Sequence, residues 1–501
     1  MAERYVIVLD AGSGAVRCHV FDKTDQIVAN GACDWVSRTT NDISPYAREF
    51  DADASWRNIC KMMSRALQKS GAAPREVAAV TATSQRQAVV FLDAAGNEVY
   101  AGPNLDLRAV FEGGAIDDEM GSRIYTTTGH TPSFLFAPAK LRWFRNHRPD
   151  VYGKIATVLT LADWLVFKLS GVMASEATLA GDAGLLDIAH RRWATGLLGD
   201  LGSVGVGHLP LAQAGSAVGT VTAKASRATG IPHDTLVATS GADTQCGLLG
   251  LGVYDELEAG VVAGWSVTMQ AVTGQPILSP DRRTWAGCFL TPDKWVLEST
   301  AGDAGNSYRW LAETVWDGLP GAFNEMEAQA AAAPIGSEGV VALLGPSRMD
   351  MADLGLRTGG ILFPVPLTFS EPRKGHLARA ALEAIAYAVR ANLEQAEKAI
   401  GRQMSRIAVG AGMTRTRTWL DILKDVVGRP IRIASTPEAS AKGAYLCALT
   451  AIGEFGSLDE AAASIENAAR VLEPVARTAR EYEDHYERWL TLDKETRRLP
   501  I

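Results

Sequence analysis

The sequence repeats one strand–turn–strand pattern, once at its beginning and once near its middle. In the first copy, the β-branched run Tyr5–Leu9 is followed by Gly12-Ser13-Gly14 and then by the alternating segment Val16–Phe21. In the second copy, Gly264-Trp265-Ser266 separates two apolar runs. Apolar runs around glycine turns are typical of β-hairpins. Two copies far apart in one chain predict two related α/β domains with a cleft between them.

Further strand and helix patterns alternate between and after these two hairpins. Val77–Ala82 and Thr235–Ser240 are apolar runs that predict buried strands. The segment Ala52–Ser70 has apolar residues at helical spacing and ends just before a glycine. After Gly453 we expect helical, charged sequence to the end. The later chain is predicted to be rich in helices, over Ala301–Thr314, Leu377–Ala399 and Thr418–Val427.

Composition excludes several classes of protein. With 501 residues, of which 47% are hydrophobic and 21% charged, the chain is a globular protein with a sizeable core and about two or three domains. Its net charge of −8, without a dense Lys/Arg run, argues against nucleic acid as a partner. No apolar stretch reaches the ~20 residues of a membrane helix, so no membrane partner is expected. The six scattered cysteines predict reduced thiols and a cytoplasmic location.

The first turn admits three interpretations. A dinucleotide loop needs a third glycine where Arg17 stands and a helix where a strand follows, so that interpretation fails. In a phosphate-binding hairpin, the backbone N–H groups around Ser13 would approach phosphate oxygens, and Asp10 could hold a hydrated Mg²⁺. The third interpretation is an ordinary hairpin with glycines for a tight turn. A carboxylate at the end of an apolar strand favours the phosphate loop, because burial without a partner is costly.

Asp243 is a second candidate, at the end of another apolar strand. It follows Ser240-Gly241-Ala242 and precedes a helical segment. A carboxylate there would lie at the carboxyl end of a strand, the edge of the sheet at which α/β proteins bind ligands. It could equally be a helix N-cap. The residues alone do not separate these two interpretations.

Two polar clusters stand beside apolar strands, at Ser84–Gln87 and Asn104–Arg108. Such groups suit hydrogen bonding to a polyhydroxylated ligand. The alternative is a surface loop in which Arg86 or Arg108 pairs with Asp106. No H-E-x-x-H or G-x-S-x-G motif is present, so metal hydrolases and serine hydrolases have no support.

Taken in order, these motifs resemble the FGGY family of carbohydrate kinases over nearly the whole chain. Asp10–Asp22 is similar to the family's first phosphate loop, D-x-G-T-x-x-x-R, with Ser13 in place of Thr. Ser240–Gly250 resembles the segment that carries the catalytic Asp, and Gly410–Arg415 resembles the adenosine motif. The resemblance implies an α/β fold of two actin/hexokinase-like (ribonuclease H-like) domains with an interdomain cleft.

The resemblance also implies an ATP- and Mg²⁺-dependent sugar kinase. Residues 1–243 would form a sugar-binding domain, residues 244–470 an ATP-binding domain, and residues 471–501 a C-terminal helix packing across both. Together with the residue patterns above, it assigns catalysis to Asp243; phosphate binding to Asp10, Gly12, Ser13, Gly14, Arg17, Gly264 and Ser266; substrate binding to Gln85, Arg86, Asn104, Asp106 and Asp243; nucleotide binding to Gly305, Arg309, Gly410, Ala411, Gly412, Thr414 and Arg415; and metal binding to Asp10 and Asp243.

The resemblance implies transfer of the γ-phosphoryl group to a primary hydroxyl of a small sugar, a polyol or an autoinducer-2-like compound. Ser84-Gln85-Arg86 with Asn104–Arg108 resembles the pair of segments in autoinducer-2 kinases, while xylulokinases, other pentulose kinases and glycerol kinases are further relatives. Trp265 and Met413 depart from the family pattern, in which Gly-Thr and Gly are usual. They are the support for a second hypothesis, a nucleotide-dependent sensor without catalysis. A homodimer is one assembly to consider.

Overall fold

The architecture is described by a computed structural model for residues 4–38, 40, 44–203, 209–367, 371–465 and 470–499. Its strands are β1 (Tyr5–Ala11), β2 (Ala15–Phe21), β3 (Ile27–Asp34), β4 (Ser37–Arg38), β5 (Glu49–Phe50), β6 (Val77–Ser84), β7 (Val89–Leu92), β8 (Glu98–Gly102), β9 (Thr157–Thr160), β10 (Ser175–Glu176), β11 (Leu186–Asp187), β12 (Arg192–Trp193), β13 (Leu211–Ala212), β14 (Ala217–Thr220), β15 (Leu236–Ala242), β16 (Glu258–Ala263), β17 (Val267–Thr273), β18 (Trp285–Cys288), β19 (Trp295–Glu298), β20 (Val341–Leu343), β21 (Gly360–Leu362), β22 (Arg406–Gly410), β23 (Ile431–Ile433) and β24 (Arg470–Leu472).

The helices are α1 (Ala52–Ser70), α2 (Val110–Thr128), α3 (Ala137–His147), α4 (Pro149–Tyr152), α5 (Leu161–Ser170), α6 (Ala177–Asp182), α7 (Thr195–Asp200), α8 (Ala223–Thr229), α9 (Asp243–Gly250), α10 (Ala304–Val315), α11 (Ala322–Ala332), α12 (Lys374–Ile400), α13 (Arg417–Val427), α14 (Ala439–Ala451), α15 (Leu458–Ala463) and α16 (Ala476–Thr496). Short 3₁₀ turns lie at Pro74–Glu76, Ser133–Leu135, Ile335–Gly339 and Gly412–Arg415. Within these described ranges, none of the helices combines the length and hydropathy needed to cross a membrane.

The first large sheet has the strand order β14-β15-β6-β1-β2-β3. β1 and β2 form the predicted antiparallel hairpin, and β1, β6 and β15 run parallel to one another. Their side chains are buried on both faces, because α1 and α5 cover one face and α14 the other. Parallel strands end at the same edge, so the segments that follow β1, β6 and β15 come together there.

The second large sheet has the order β18-β19-β17-β16-β22-β23-β24. It repeats the arrangement of the first, because β16 and β17 form an antiparallel hairpin and β22 lies parallel to β16. The long, largely buried helix α12 packs on this sheet. Two related α/β units, each beginning with a hairpin, confirm the fold class predicted from the sequence.

Helices α9 and α14 join the two units through a close crossing. A Cβ at Gly443 would collide with the carbonyl oxygen of Cys246, and one at Gly250 with that of Ala439. Only glycine allows backbones to approach this closely. α14, from the second half of the chain, also packs against β1, β6 and β15 of the first sheet, so the two sheets are held across a shared pair of helices.

The C-terminal segment differs from the expected continuous helix. β24 adds to the edge of the second sheet by pairing with β23. The expected boundary between the ATP-binding domain and the C-terminal helix, at residue 470, therefore falls within a strand. The expected helix across both domains, α16, packs on α12 and α13 of the second unit, because Tyr482, Tyr486 and Trp489 at helical spacing enter its core. Residues 466–469, 500 and 501 of this segment lie outside the described ranges.

Candidate active site

The candidate site lies at the edge where β1, β6 and β15 end. In the register, Ala11 of β1 and Ala242 of β15 both face Ser84 of β6. Since neighbouring strands are about 4.8 Å apart, the ends of β1 and β15 lie roughly 10 Å from each other, with β6 between them. Asp10 is therefore brought close to Asp243, as the two strand-end carboxylates were expected to be.

Asp243 is the first residue of α9, but it is not the N-cap. The N-cap position belongs to Ala242, and no side-chain cap hydrogen bond is present there. Atom Oδ1 of Asp243 is buried and has no hydrogen-bond partner among the described residues. Burial raises the pKa of Asp243 to about 7; the charge of Arg86 opposes this rise, and the charges of Asp10 and Asp182 add to it. The geometry thus favours the ligand interpretation over the cap.

Asp10 is the second carboxylate of the site. Burial raises its pKa to about 6, Arg17 opposes the rise and Glu438 adds to it. Within the described ranges, no cluster of three or more His, Cys, Asp or Glu side chains is arranged to hold a metal by itself. Asp10 and Asp243 are instead the kind of sparse carboxylate set on which Mg²⁺ keeps several waters. The donor set fits Mg²⁺ bound together with phosphate.

The first hairpin turn is fixed by hydrogen bonds at Gly12, and its other residues are exposed. The carbonyl oxygen of Gly12 accepts hydrogen bonds from Nε1 of Trp35 at 2.9 Å and from Nε2 of Gln85 at 3.3 Å. Ser13 and Gly14 are exposed, and a Cβ on Gly14 would meet no atom within 4 Å. Arg17, also exposed, lies opposite Asp10 in the hairpin register. The turn therefore offers an open surface beside Asp10.

The second hairpin turn contacts the start of α10. The N–H group of Asn306 donates to the carbonyl oxygen of Trp265 at 3.1 Å, and a Cβ at Gly305 would collide with the carbonyl oxygen of Gly264. The turn is closed on itself by a hydrogen bond from Gly264 N–H to the carbonyl oxygen of Ser266 at 2.9 Å. The indole of Trp265 is 58% exposed, and the guanidinium of Arg309 stacks 4.4 Å from its ring centroid.

The segment after β22 is connected to the site through Glu438. Ala411 adopts a positive φ of 72°, and Oγ1 of Thr414 donates to its carbonyl oxygen at 2.7 Å. The guanidinium of Arg415 lies 3.6 Å from the carboxylate of Glu438, whose charge raises the pKa of Asp10. Gly410 ends β22 and Gly412 begins the 3₁₀ turn. The pairing of Arg415 with Glu438 connects this predicted nucleotide segment to the surroundings of Asp10.

Two predicted substrate residues are occupied by protein contacts. Gln85 donates to Gly12 and accepts a hydrogen bond from the N–H of Asn104 at 3.2 Å, which ties the two loops together. Asp106 is fully buried and accepts hydrogen bonds from Nε of Arg108 at 2.7 Å and from the hydroxyl of Tyr100. The ion pair between Asp106 and Arg108, which was the alternative interpretation of this loop, is thus present, and three aromatic rings surround that guanidinium. Substrate binding by Asp106 stays a prediction.

Some polar atoms near these loops lack protein partners. Oδ1 of Asn104 and Nε2 of Gln87 are buried and have no hydrogen-bond partner within the part of the chain that is described. Buried polar groups are normally satisfied, so such atoms are candidates for contact with a ligand or water. Asn104 was predicted as a substrate residue, and Gln87 belongs to the same polar cluster as Gln85 and Arg86.

Arg86 reaches into the second unit. It donates from both terminal nitrogens to Glu298, with Nη2 at 2.9 Å from Oε1, and it lies 3.9 Å from Asp182. Asp182 also accepts from Nε2 of Gln245 at 3.1 Å and lies 3.3 Å from Nε2 of His130. Sequence reasoning missed Glu298 and Asp182. Glu298 ends the apolar strand β19, the same pattern that singled out Asp10, so that signal could have found it.

Comparisons with known proteins agree with this architecture. The models of the N- and C-terminal domains of the FGGY family of carbohydrate kinases match residues 5–250 and 259–452. The autoinducer-2 kinase of Salmonella paratyphi B (strain ATCC BAA-1250 / SPB7) is 28% identical over 510 residues, which cover 99% of this chain and 95% of that relative.

Two solved structures share the fold. Xylulose kinase from Rhodospirillum rubrum has a TM-score of 0.83 at 24% identity, covering 98% of this chain and 99% of its own. Plasmodium falciparum glycerol kinase with ADP has a TM-score of 0.82 at 17% identity, covering 99% of both chains. With both domain models matched in order over most of its length, the chain belongs to the FGGY family of carbohydrate kinases, phosphotransferases that act on a sugar hydroxyl.

Proposed function

We propose that the protein transfers the γ-phosphoryl group of ATP to a primary hydroxyl of a small, uncharged sugar, polyol or autoinducer-2-like compound. The observation that carries this proposal is Oδ1 of Asp243, buried at the sheet edge without a hydrogen-bond partner among the described residues. A substrate hydroxyl placed there would supply the missing donor. Asp243 then accepts the hydroxyl proton as the oxygen attacks, and its pKa of about 7 suits a base at neutral pH.

The two hairpin turns would hold the phosphates between them. Phosphoryl transfer depends mainly on positioning and on electrostatic stabilisation of the phosphate oxygens. The open turn Gly12–Gly14 offers backbone N–H groups and the Ser13 hydroxyl, and Arg17 adds a positive charge. Gly264 and Ser266 would act from the second unit. Asp10 and Asp243 would hold Mg²⁺, which neutralises phosphate charge when bound.

The ATP-binding part of the proposal falls on the second unit. Gly305 allows the second turn to approach α10, and Arg309 lies over that turn. The adenosine would lie along Gly410, Ala411, Gly412, Thr414 and Arg415, after β22. Domains with limits near 1–243 and 244–470 would close around sugar and nucleotide, and closure would exclude water from the reacting groups.

Charge favours a neutral substrate. Arg86 is surrounded by Glu298 and Asp182, and its charge also acts on Asp243. With three acidic side chains around one guanidinium, a carboxylate-bearing sugar would meet net repulsion. The unpartnered atoms of Asn104 and Gln87 are donors and acceptors for neutral hydroxyl or carbonyl groups. The name of the autoinducer-2 kinase relative supports the same substrate class.

A coupled ADP-release assay tests the proposal. The panel contains pentuloses, glycerol and other polyols, 4,5-dihydroxy-2,3-pentanedione, and gluconate as the anionic comparison. We expect one neutral compound to exceed gluconate in kcat/KM by about tenfold or more. We also expect EDTA to abolish ADP release and ³¹P NMR to show an ester at a primary carbon. A preference for gluconate would contradict the charge argument, and an ester at a secondary carbon would contradict the placement of the hydroxyl.

Two outcomes would point to the alternatives. The highest kcat/KM with a pentulose would identify a xylulokinase or another pentulose kinase. ATP binding without ADP release on any compound would favour a nucleotide-dependent sensor, for which the bulky, exposed Trp265 in the second turn is the supporting observation.

A further inference from the structure

The side chain of Arg86 is bound by residues of the second unit. Arg86 follows β6 of the first sheet, whereas Glu298 ends β19 of the second. Both terminal nitrogens of the guanidinium donate to the Glu298 carboxylate, and the guanidinium lies 5.8 Å from the ring centroid of Trp285 on β18. The side chains of Arg86 and Glu298 are only 11% and 3% exposed. This is a buried, two-pronged ion pair between the two units.

Glu298 is itself held in a fixed orientation. Nε2 of Gln270, its partner in the β17–β19 register, donates to Oε2 at 2.7 Å, and Oγ1 of Thr300 donates to Oε1 at 2.9 Å. Each carboxylate oxygen therefore has a second donor besides Arg86. A carboxylate fixed in this way fixes the plane of the guanidinium that it binds.

Arg86 also faces the reacting side of the site. It lies 3.9 Å from Asp182, which accepts a hydrogen bond from Nε2 of Gln245 on α9, the helix that begins at Asp243. The same guanidinium thus contacts the second unit through Glu298 and acts on the catalytic edge of the first unit. Its position depends on the two units being together.

We propose that Glu298 is a positioning residue of the second unit, which acts through Arg86 to organise the sugar side of the cleft. This inference rests on the proposed function, in which Arg86 binds the sugar. When the units close, Glu298 binds the guanidinium of Arg86 and orients it. When they separate, the ion pair between Arg86 and Glu298 is broken. Sugar binding and closure are thereby coupled through one ion pair.

The test compares Glu298→Gln with a matched control, Glu258→Gln. Glu258 is also buried, lies on the same sheet and pairs with an arginine, Arg406, but both members belong to the second unit. We expect Glu298→Gln to raise KM for the preferred sugar by about 10- to 100-fold while KM for ATP stays within about twofold. We expect Glu258→Gln to lower Tm and to leave both KM values unchanged. Equal sugar KM values for Glu298→Gln and the wild type, or equal increases in both variants, would overturn the proposal.

A second variant tests the proposal if Glu298→Gln does not fold, and a second measurement tests it without kinase activity. Thr300→Val removes one orienting donor without removing charge, so it should raise the sugar KM in the same direction by a smaller factor, even if Glu298→Gln does not fold. Hydrogen exchange of the unliganded protein needs no turnover. In either variant that folds, amides of residues 84–90 should exchange at least about threefold faster than in the wild type. Unchanged exchange there would overturn the role of Glu298, whereas missing kinase activity with faster exchange would overturn only the proposed function.

Discussion

Asp10 and Asp243 are coupled at one edge of the first sheet, although one residue belongs to the first strand of the chain and the other to the helix that follows β15. Burial raises the pKa of Asp243, and the negative charge of Asp10 adds to the rise. The coupling exists because β1 and β15 flank β6 and all three strands end at one edge. Two carboxylates that share a buried edge cannot both ionise easily. They are the natural place for a divalent cation and for a base that works near neutral pH.

Glu176 should make the stability of the protein depend on pH. It is fully buried, and its Oε2 accepts hydrogen bonds from the N–H groups of Thr178 at 2.8 Å and Leu179 at 3.2 Å. Burial raises the pKa of Glu176 from 4.5 to about 8, and the charge of Asp163 adds to the rise. Because the folded state holds this proton more tightly than the unfolded state, the stabilisation is complete below pH 4.5 and is lost as the pH rises towards 8.

Replacing Glu176 with Gln should remove that dependence. Relative to the wild type, Glu176→Gln should gain on the order of 4 kcal/mol in unfolding free energy between pH 5 and pH 8.5, measured by urea denaturation. The exposed Glu487→Gln is the control and should show no such trend. The same dependence of unfolding free energy on pH in the wild type and in Glu176→Gln would contradict the prediction.

Gly443 should tolerate no side chain, because its Cβ would collide with the carbonyl oxygen of Cys246 at the α9–α14 crossing. Gly443→Ala should lower the free energy of unfolding by about 1–3 kcal/mol. Gly114, on α2, has no atom within 4 Å of a Cβ, so Gly114→Ala should raise it by about 0.5–1 kcal/mol. Urea denaturation measures both, and effects of the same sign would count against the close crossing.

Trp265 should report nucleotide binding. The indole is exposed and stacked on Arg309 beside the second turn, where the phosphates are proposed to bind. Addition of ATP should therefore change the tryptophan emission, and Trp265→Phe should remove most of that change. Since the chain has 12 tryptophans, Trp310→Phe is the control: Trp310 is 50% exposed and follows Arg309 on α10. A full ATP-induced change in Trp265→Phe would place the phosphates elsewhere.

The hairpins and the long helices could be predicted because their signals are local. The glycine turn between Tyr5–Leu9 and Val16–Phe21 and the helix over Ala52–Ser70 depend on residues within a few positions of one another. The strand Arg470–Leu472 was missed because it is stabilised only by pairing with the distant β23. A short edge strand of this kind has no pattern of its own.

The site was predictable where a carboxylate ends an apolar strand and less so where charges pair at a distance. Asp10 and Asp243 carry that signal, and the fold brings both to the same edge of the first sheet. The pairing of Asp106 with Arg108 was one of two interpretations of its loop, but its burial could not be predicted, because residues distant in the chain cover the pair. The partner of Arg86, Glu298, belongs to the other unit, and only the fold brings them together.

The kcat of Asp243→Asn tests most directly whether this carboxylate accepts the proton of the attacking hydroxyl. We predict a fall of about 10²- to 10⁴-fold with retained ATP binding and a Tm close to that of the wild type. Asp51→Asn, which changes the acidic N-cap of α1, should keep the wild-type kcat. A kcat near the wild-type value in Asp243→Asn, measured with the same sugar and Mg²⁺, would contradict the assignment.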